Sequence, residues 1–396
     1  MSGSSSPRGV GILSPRAPLF SLGFRPFYLL AAMCAIAGVG WWSIQFAGLT
    51  TASPSVIAGV AWHAHEMVFG FALAVVTGFL FTAVRNWTAQ PTPSGGALAG
   101  IVALWVAGRL LIVTGPAWLA ALVDVAFPVV VAVSLWLPLQ RTRNRNRFFV
   151  GLLLLLAAAN AVFHAANADL LPLSPVTPVR AALFVILMIV SIMAGRVVPS
   201  FTANAIRGAR IRRRPWLDRA ALGTGGVAFA MLVAIPSQAI TGIVCLVAGG
   251  LHAARVLDWD PACTRRVPIL WILHLSYAWI PVGLVLEGLA TLGAGVPGPL
   301  ADHALTLGAV GGMIIGMITR TARGHSGMPL TVGNVEVAAY VLVHVAAVVR
   351  VFLPLAWPAG YRQAVVISAA LWCSAFAAYL WTYLPILTAR RADGKD

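Results

Sequence analysis

Charge is what this chain most lacks. Only 10% of its 396 residues are Asp, Glu, Lys or Arg, and Lys occurs once, at Lys395. An ordinary soluble domain carries about 25% charged residues, so this chain could not cover a water-facing surface. It also lacks the polarity that keeps a chain disordered. Its four cysteines are too few for a disulfide scaffold. What is present in excess is apolar: 60% of residues are hydrophobic, and the mean hydropathy is +0.88. The class that remains is an all-α, polytopic membrane helix bundle.

Each span needs about 20 residues to cross about 30 Å of hydrocarbon. Apolar runs fall at 27–47, 57–83, 96–114, 116–138, 147–167, 176–198, 215–235, 237–257, 267–292, 301–320, 333–354 and 361–387, which predicts 12 transmembrane helices. The second, ninth and twelfth runs are long enough to tilt or to extend beyond the bilayer. Pro, Gly and Asn gather in the gaps, as in Gly293-Ala294-Gly295-Val296-Pro297-Gly298.

The formal net charge of +16 would suggest nucleic acid in a soluble protein. Here the arginines lie between the apolar runs, which points to membrane orientation and excludes a nucleic-acid partner. Arg8, Arg16 and Arg25 precede the first run, and Arg85 lies in the second gap. Four arginines from Arg141 to Arg147 occupy the fourth gap, and six from Arg207 to Arg219 the sixth. Arg255, Arg265 and Arg266 mark the eighth, Arg320 and Arg323 the tenth, and Arg390, Arg391 and Lys395 the tail. Among the odd gaps only the eleventh holds one, Arg362. This alternation predicts both termini on the cytoplasmic side. Residues 1–22, without a cleavage site after an apolar core, read as a disordered cytoplasmic tail rather than a signal peptide. Residues 23–388 read as one twelve-helix domain and 389–396 as a second cytoplasmic tail.

Ionisable groups inside a bilayer cost several kcal/mol each and are functional candidates. In the predicted orientation His63, His65, Glu66, Arg109, Asp124, His164, Arg180, Glu287 and His303 share the outer half. His252, His274 and His325 lie on the inner side, and His344 lies near the midplane. At about 100° per residue, His63, Glu66, Met67, Gly70, Ala74 and Thr77 share one face of the second run, with His65 pointing away. The two histidines therefore serve two sites on either side of that helix, or one of them supports the other's ligand. In the tenth run Gly308, Gly312 and Gly316 form a small face that admits either a flat cofactor or another helix. Imidazole suits copper and haem iron alike. The duller readings are hydrogen-bonding bridges for lone histidines, packing for Met313 and Met317, and an Asp124–Arg109 pair between the third and fourth runs. Arg109 and Arg180 are also candidate partners for cofactor carboxylates.

Several longer segments resemble the NnrS family of bacterial membrane proteins. They are Phe24-Arg25-Pro26-Phe27, Trp62 to Gly70, Thr82 to Thr88, Gly195-Arg196-Val197-Val198-Pro199-Ser200-Phe201-Thr202, Leu273 to Trp279, and His303 to Gly327. The resemblance runs from about residue 20 to 387, with Gly324-His325-Ser326-Gly327 where the family usually has Thr in place of Ser. It implies a multi-pass protein of the bacterial inner (cytoplasmic) membrane that binds b-type haem and copper and is tied to nitric oxide metabolism and nitrosative stress. The family motifs fall on His63, His65, Glu66, His274, Tyr277, His303, Arg320 and His325. With His164 added from its position, the candidate haem and metal ligands are His63, His65, His303, His274, His325 and His164. Arg109, Arg180, Arg320 and Tyr277 are candidate cofactor contacts, and Glu66 a candidate for proton transfer.

The first functional expectation is a nitric oxide reductase-like oxidoreductase. No Cys-x-x-Cys-His occurs, so no c-type haem is attached, and electrons must come from quinol or a separate redox protein. The second is a non-enzymatic sensor or scavenger of NO or metal. A third is secondary transport, for which twelve spans is a common count; the only echo of the His63–Glu66 motif in the second half is His252–Arg255.

Overall fold

The computed structural model describes residues 11, 13–50, 55–57 and 59–394. Arg8 and Lys395, two of the arginine and lysine markers, and half of the leading tail lie outside the described residues. Among the described residues twelve helices are long and apolar enough to cross a membrane. The chain is thus a multi-pass membrane protein. They are α1 (Phe24–Phe46), α2 (Gly59–Thr88), α3 (Gly95–Thr114), α4 (Ala117–Arg141), α5 (Arg145–Asn167) and α6 (Val176–Ala205). The second half comprises α7 (Pro215–Ala234), α8 (Ala239–Leu257), α9 (Pro268–Thr291), α10 (Gly298–His325), α11 (Asn334–Ala356) and α12 (Pro358–Thr388). A helix satisfies every backbone group within its own segment, which hydrocarbon demands. Pro128, Pro138, Pro199, Pro281, Pro354 and Pro385 sit inside helices, as membrane helices tolerate.

The lengths differ from expectation in α6, α9 and α10, the last running 28 residues to His325. The ninth helix has 24 residues, whereas α6 has 30 and continues through Pro199 to Ala205. The apolar run ends at Val198, yet the helix continues to Ala205, with the Thr202 hydroxyl satisfied inside it by the Val198 carbonyl at 2.9 Å.

Packing is mainly between neighbours in sequence, and α12 returns to lie against α1. The closure is specific: the Arg25 guanidinium, 1% exposed, donates through Nη1 to the backbone oxygens of Leu387 and Ala389. The described end of the leading segment is not a loose tail. Pro18–Phe20 form a short 3-10 turn with Leu19 and Phe20 buried, because these two side chains find apolar cover beside α1 and α12.

The most enclosed helix is α2, with 89% of its most apolar stretch buried, followed by α9 and α10 at 72% each. These three carry most of the candidate site residues. The α9–α10 connection turns through Gly293 and Gly295 at φ of 76° and 74°, a region that a residue without Cβ enters at little cost.

Candidate functional site

Among the described residues two spans contain a π-helical stretch, and each stretch follows a candidate histidine. In α2, Glu66–Ala72 is a π-helix directly after His65; in α10, Ala304–Gly311 is one directly after His303. Such i→i+5 stretches are rare and gather at functional sites. The first corrects the reading of α2. Regular winding would put Glu66 on the His63 face, whereas its carboxylate turns to the other side and meets His65 and Arg109. The carbonyl of Gly70 accepts from Trp105 Nε1 at 3.3 Å.

His63 faces an apolar cavity of about 240 Å³ bounded by α1, α2, α6, α10, α11 and α12. His303 lines the same cavity, with Met67, Phe71, Val310 and Trp372 among its apolar walls and Arg180 and Arg350 among its polar ones. Nδ1 of His303 lies 2.6 Å from the Pro299 carbonyl. A carbonyl only accepts, so Nδ1 carries the hydrogen, and in the neutral ring Nε2 keeps its lone pair. This is how proteins commonly fix a metal-binding imidazole. The His63 ring stacks on Trp42 at 5.1 Å and 15°, and its Nδ1 is buried without a hydrogen-bond partner. Arg180 is held by Glu287 at 2.5 Å and Asp302 at 2.9 Å, which ties α6 to α9 and α10. Arg350 donates to the Tyr361 hydroxyl at 3.0 Å, while its Nη1 is buried and unpartnered.

On the opposite side of α2 lies a second site, a buried polar cluster with Phe163 stacked on His65 at 4.4 Å. His65 Nε2 is 3.0 Å from Asp124 Oδ2, and His164 Nε2 is 3.1 Å from the same oxygen. Among the described residues this is the trio whose donor atoms come within 4.8 Å of one another, close enough for one metal ion. Asn160 donates to Asp124 at 2.8 Å, and Arg109 pairs with both Glu66 and Asp124. His65 Nδ1 lies 3.1 Å from Glu66 Oε1, and its Nε2 also lies 3.0 Å from Asn160 Oδ1. Both nitrogens of His65 therefore face oxygens that accept. The charges point the same way: Glu66 and Asp124 together outnumber Arg109 by one negative charge. Buried uncompensated charge is costly, so the cluster calls for one more positive centre, a proton or a metal ion.

The remaining candidates lie elsewhere. Arg109 is absorbed by Glu66 and Asp124 and does not line the cavity, because the two carboxylates hold it on the far side of α2. Tyr277 is bonded at 2.6 Å to both His252 and Arg255. His274 contacts the Thr202 hydroxyl at 2.9 Å. Arg320 lies over the Phe201 ring at 3.8 Å, and His325 packs on Phe24 at 5.7 Å. None of these four lines the cavity or joins the trio. The glycine face of α10 meets protein: Gly308 abuts Trp279, Gly312 abuts Ser276 and His344, and Gly316 abuts Leu273 and Ile272. The residues not foreseen are Asn160, Arg350 and Trp42, together with Asp124 as a hub rather than a simple partner of Arg109. Asn160 and His164 stand four apart within an apolar run, a polar helix face readable in the sequence.

Fold and sites together define a polytopic helical membrane protein with a buried His/Asp metal-type cluster beside a histidine-lined apolar cavity. The family model described as NnrS protein matches residues 18–391. The chain belongs to the NnrS family. No curated protein matches it.

Proposed function

We propose that this chain binds b-type haem in the cavity shared by His63 and His303 and copper at His65, Asp124 and His164, and acts on nitric oxide in the bacterial inner membrane with both termini cytoplasmic. One observation carries this reading: two imidazoles line one apolar cavity, and His303 has its Nε2 lone pair fixed by the Pro299 carbonyl. The donor set fits haem, since imidazole ligates its iron, apolar side chains match the macrocycle, and arginine recognises carboxylates. It fits copper as well, since two imidazoles and a carboxylate present themselves together. Arg350, with a free nitrogen, is better placed for a haem carboxylate than Arg180, which Glu287 and Asp302 already hold.

Bound haem supplies an iron that coordinates a small diatomic such as NO. The protein's own part is to exclude water from the cavity, fix His303, and keep His63 in the same space. Glu66 does not line that cavity. It orients His65 through Nδ1 and remains the candidate carboxylate for moving a proton, now toward the metal cluster. Quinol or a separate redox protein would supply electrons. The test of cofactor identity is the haem and copper content of purified protein: His303→Ala should lose the Soret absorbance, and His164→Ala should lose copper while keeping it. A His303→Ala protein that retains full haem would overturn the assignment. If bound NO persists in the presence of a reductant, the chain is a sensor or scavenger rather than a reductase.

A further inference from the structure

The arginine-rich connection between α6 and α7 builds a small polar cavity that neither metal site uses. It measures about 60 Å³ and is lined by residues of α6, the connection, α7 and the end of α8. A cavity of about 10–15 Å³ already holds one water, so the space has room for a phosphate group. Four arginines and two aspartates line it. Asp218 pairs with Arg255 at 2.6 Å and Asp258 with Arg214 at 2.8 Å. Arg212 and Arg213 have no carboxylate partner among the described ion pairs; Arg213 reaches only the Ser200 hydroxyl at 3.2 Å. The cavity therefore carries two unbalanced positive charges.

Two buried groups give it a floor. Arg255 is 3% exposed. Its Nε and Nη1 are committed to Asp218, Ser191 and Tyr277, while Nη2 lies against Gly195, where a Cβ would displace it. Gly195 is thus required for the guanidinium to reach the cavity, which gives the Gly195-Arg196 motif a role. Asp258, 7% exposed, has Oδ2 buried with no hydrogen-bond partner. A ligand for this cavity must accept from arginines and also donate to Asp258.

We propose that the cavity binds a phosphate group that carries a hydroxyl: either free inorganic phosphate or the phosphoglycerol headgroup of an anionic phospholipid. Arginine suits both through paired hydrogen bonds to phosphate oxygens, and basic pockets between membrane helices take anionic headgroups. The P–OH of phosphate or a glycerol hydroxyl supplies the donor for Asp258. A choline headgroup offers none.

The test uses the purified full-length protein in a neutral detergent. Binding of short-chain phosphatidylglycerol, short-chain phosphatidylcholine and inorganic phosphate is followed by native mass spectrometry and by thermal shift. The first or the third should bind saturably, and phosphatidylcholine should not. Phosphatidylglycerol binding that phosphate displaces identifies the headgroup as a ligand of this site; phosphate binding alone identifies the free ion. The Arg212→Ala/Arg213→Ala double variant removes exposed side chains and should keep its thermal midpoint without ligand. It should bind about tenfold more weakly or worse, since a hydrogen bond to a charged group contributes about 1.5–3 kcal/mol. Equal binding by the double variant, equal binding of the two lipids, or no saturable binding of either phosphate source would overturn the proposal.

Discussion

His63 and His65, two positions apart on α2, face different sites: His63 lines the apolar cavity, and His65 is hydrogen-bonded into the Asp124 cluster on the other side of the helix. One helix thus separates the two sites, and the structure predicts that they can be emptied independently. His63→Ala and His303→Ala should each lower the Soret absorbance per protein severalfold and leave copper content unchanged. His65→Ala and His164→Ala should do the reverse. Parallel optical spectra and elemental analysis check this. Loss of both metals in every variant would mean that the two sites are not separable.

Asp124 is the acceptor for His65, His164, Asn160 and Arg109. Removing one partner of a buried charge network costs about 3–5 kcal/mol. Asp124→Ala should therefore lower the thermal midpoint strongly, whereas Asp124→Asn, which keeps an acceptor oxygen, should lower it less. Equal stability of wild type and Asp124→Ala in a melting experiment would contradict the network.

Glu66→Gln keeps an acceptor for His65 but removes the charge that faces Arg109. The expected outcome is retained haem, because Glu66 is outside the cavity, with slower NO consumption under a reductant. Consumption at the wild-type rate would rule out the proton-transfer role.

Gly308 packs against the face of Trp279, whose Nε1 donates to His344 Nδ1 at 3.1 Å. That hydrogen bond keeps the indole from moving aside. Gly308→Ala should cost about 1–3 kcal/mol, the usual range for overpacking, read as a lower thermal midpoint. Gly250→Ala, with nothing near its Cβ position, should be neutral. A neutral Gly308→Ala would show that α9 and α10 approach less closely.

Cys263 lies in the short turn between α8 and α9, and burial together with Asp260 pushes its thiol up from the usual value. A raised pKa means less thiolate at any given pH, and the thiolate is the reactive form. Alkylation by iodoacetamide at pH 8 should be slower than for a free cysteine and should rise with pH. Asp260→Asn should speed it. Labelling at the rate of an unhindered thiol, followed by mass spectrometry, would contradict this.

The twelve helices were legible because hydrocarbon imposes one rule on every span, about 20 apolar residues with all backbone groups paired internally. The polar residues that interrupt those runs were legible as candidates for the same reason. Their partners were not. That Glu66 turns toward His65 depends on a π-helical stretch that no simple period announces. That Asp124 gathers groups from α2, α3 and α5 depends on how three helices pack. The small face of α10 fitted a macrocycle or a helix equally well by residue type, and Trp279 and Leu273 of α9 occupy it. His164 joins the trio through Asp124 of α4 and the His65 ring of α2, contacts that only the packing of these helices creates.

The central claim, haem held by His63 and His303 and reactive toward NO, is tested most directly by the optical spectrum of the purified protein, oxidised, then reduced, then exposed to NO. The account predicts a Soret band and sharp reduced bands that shift with NO in the wild type and are lost in His303→Ala. A folded wild-type protein with no Soret band would contradict it.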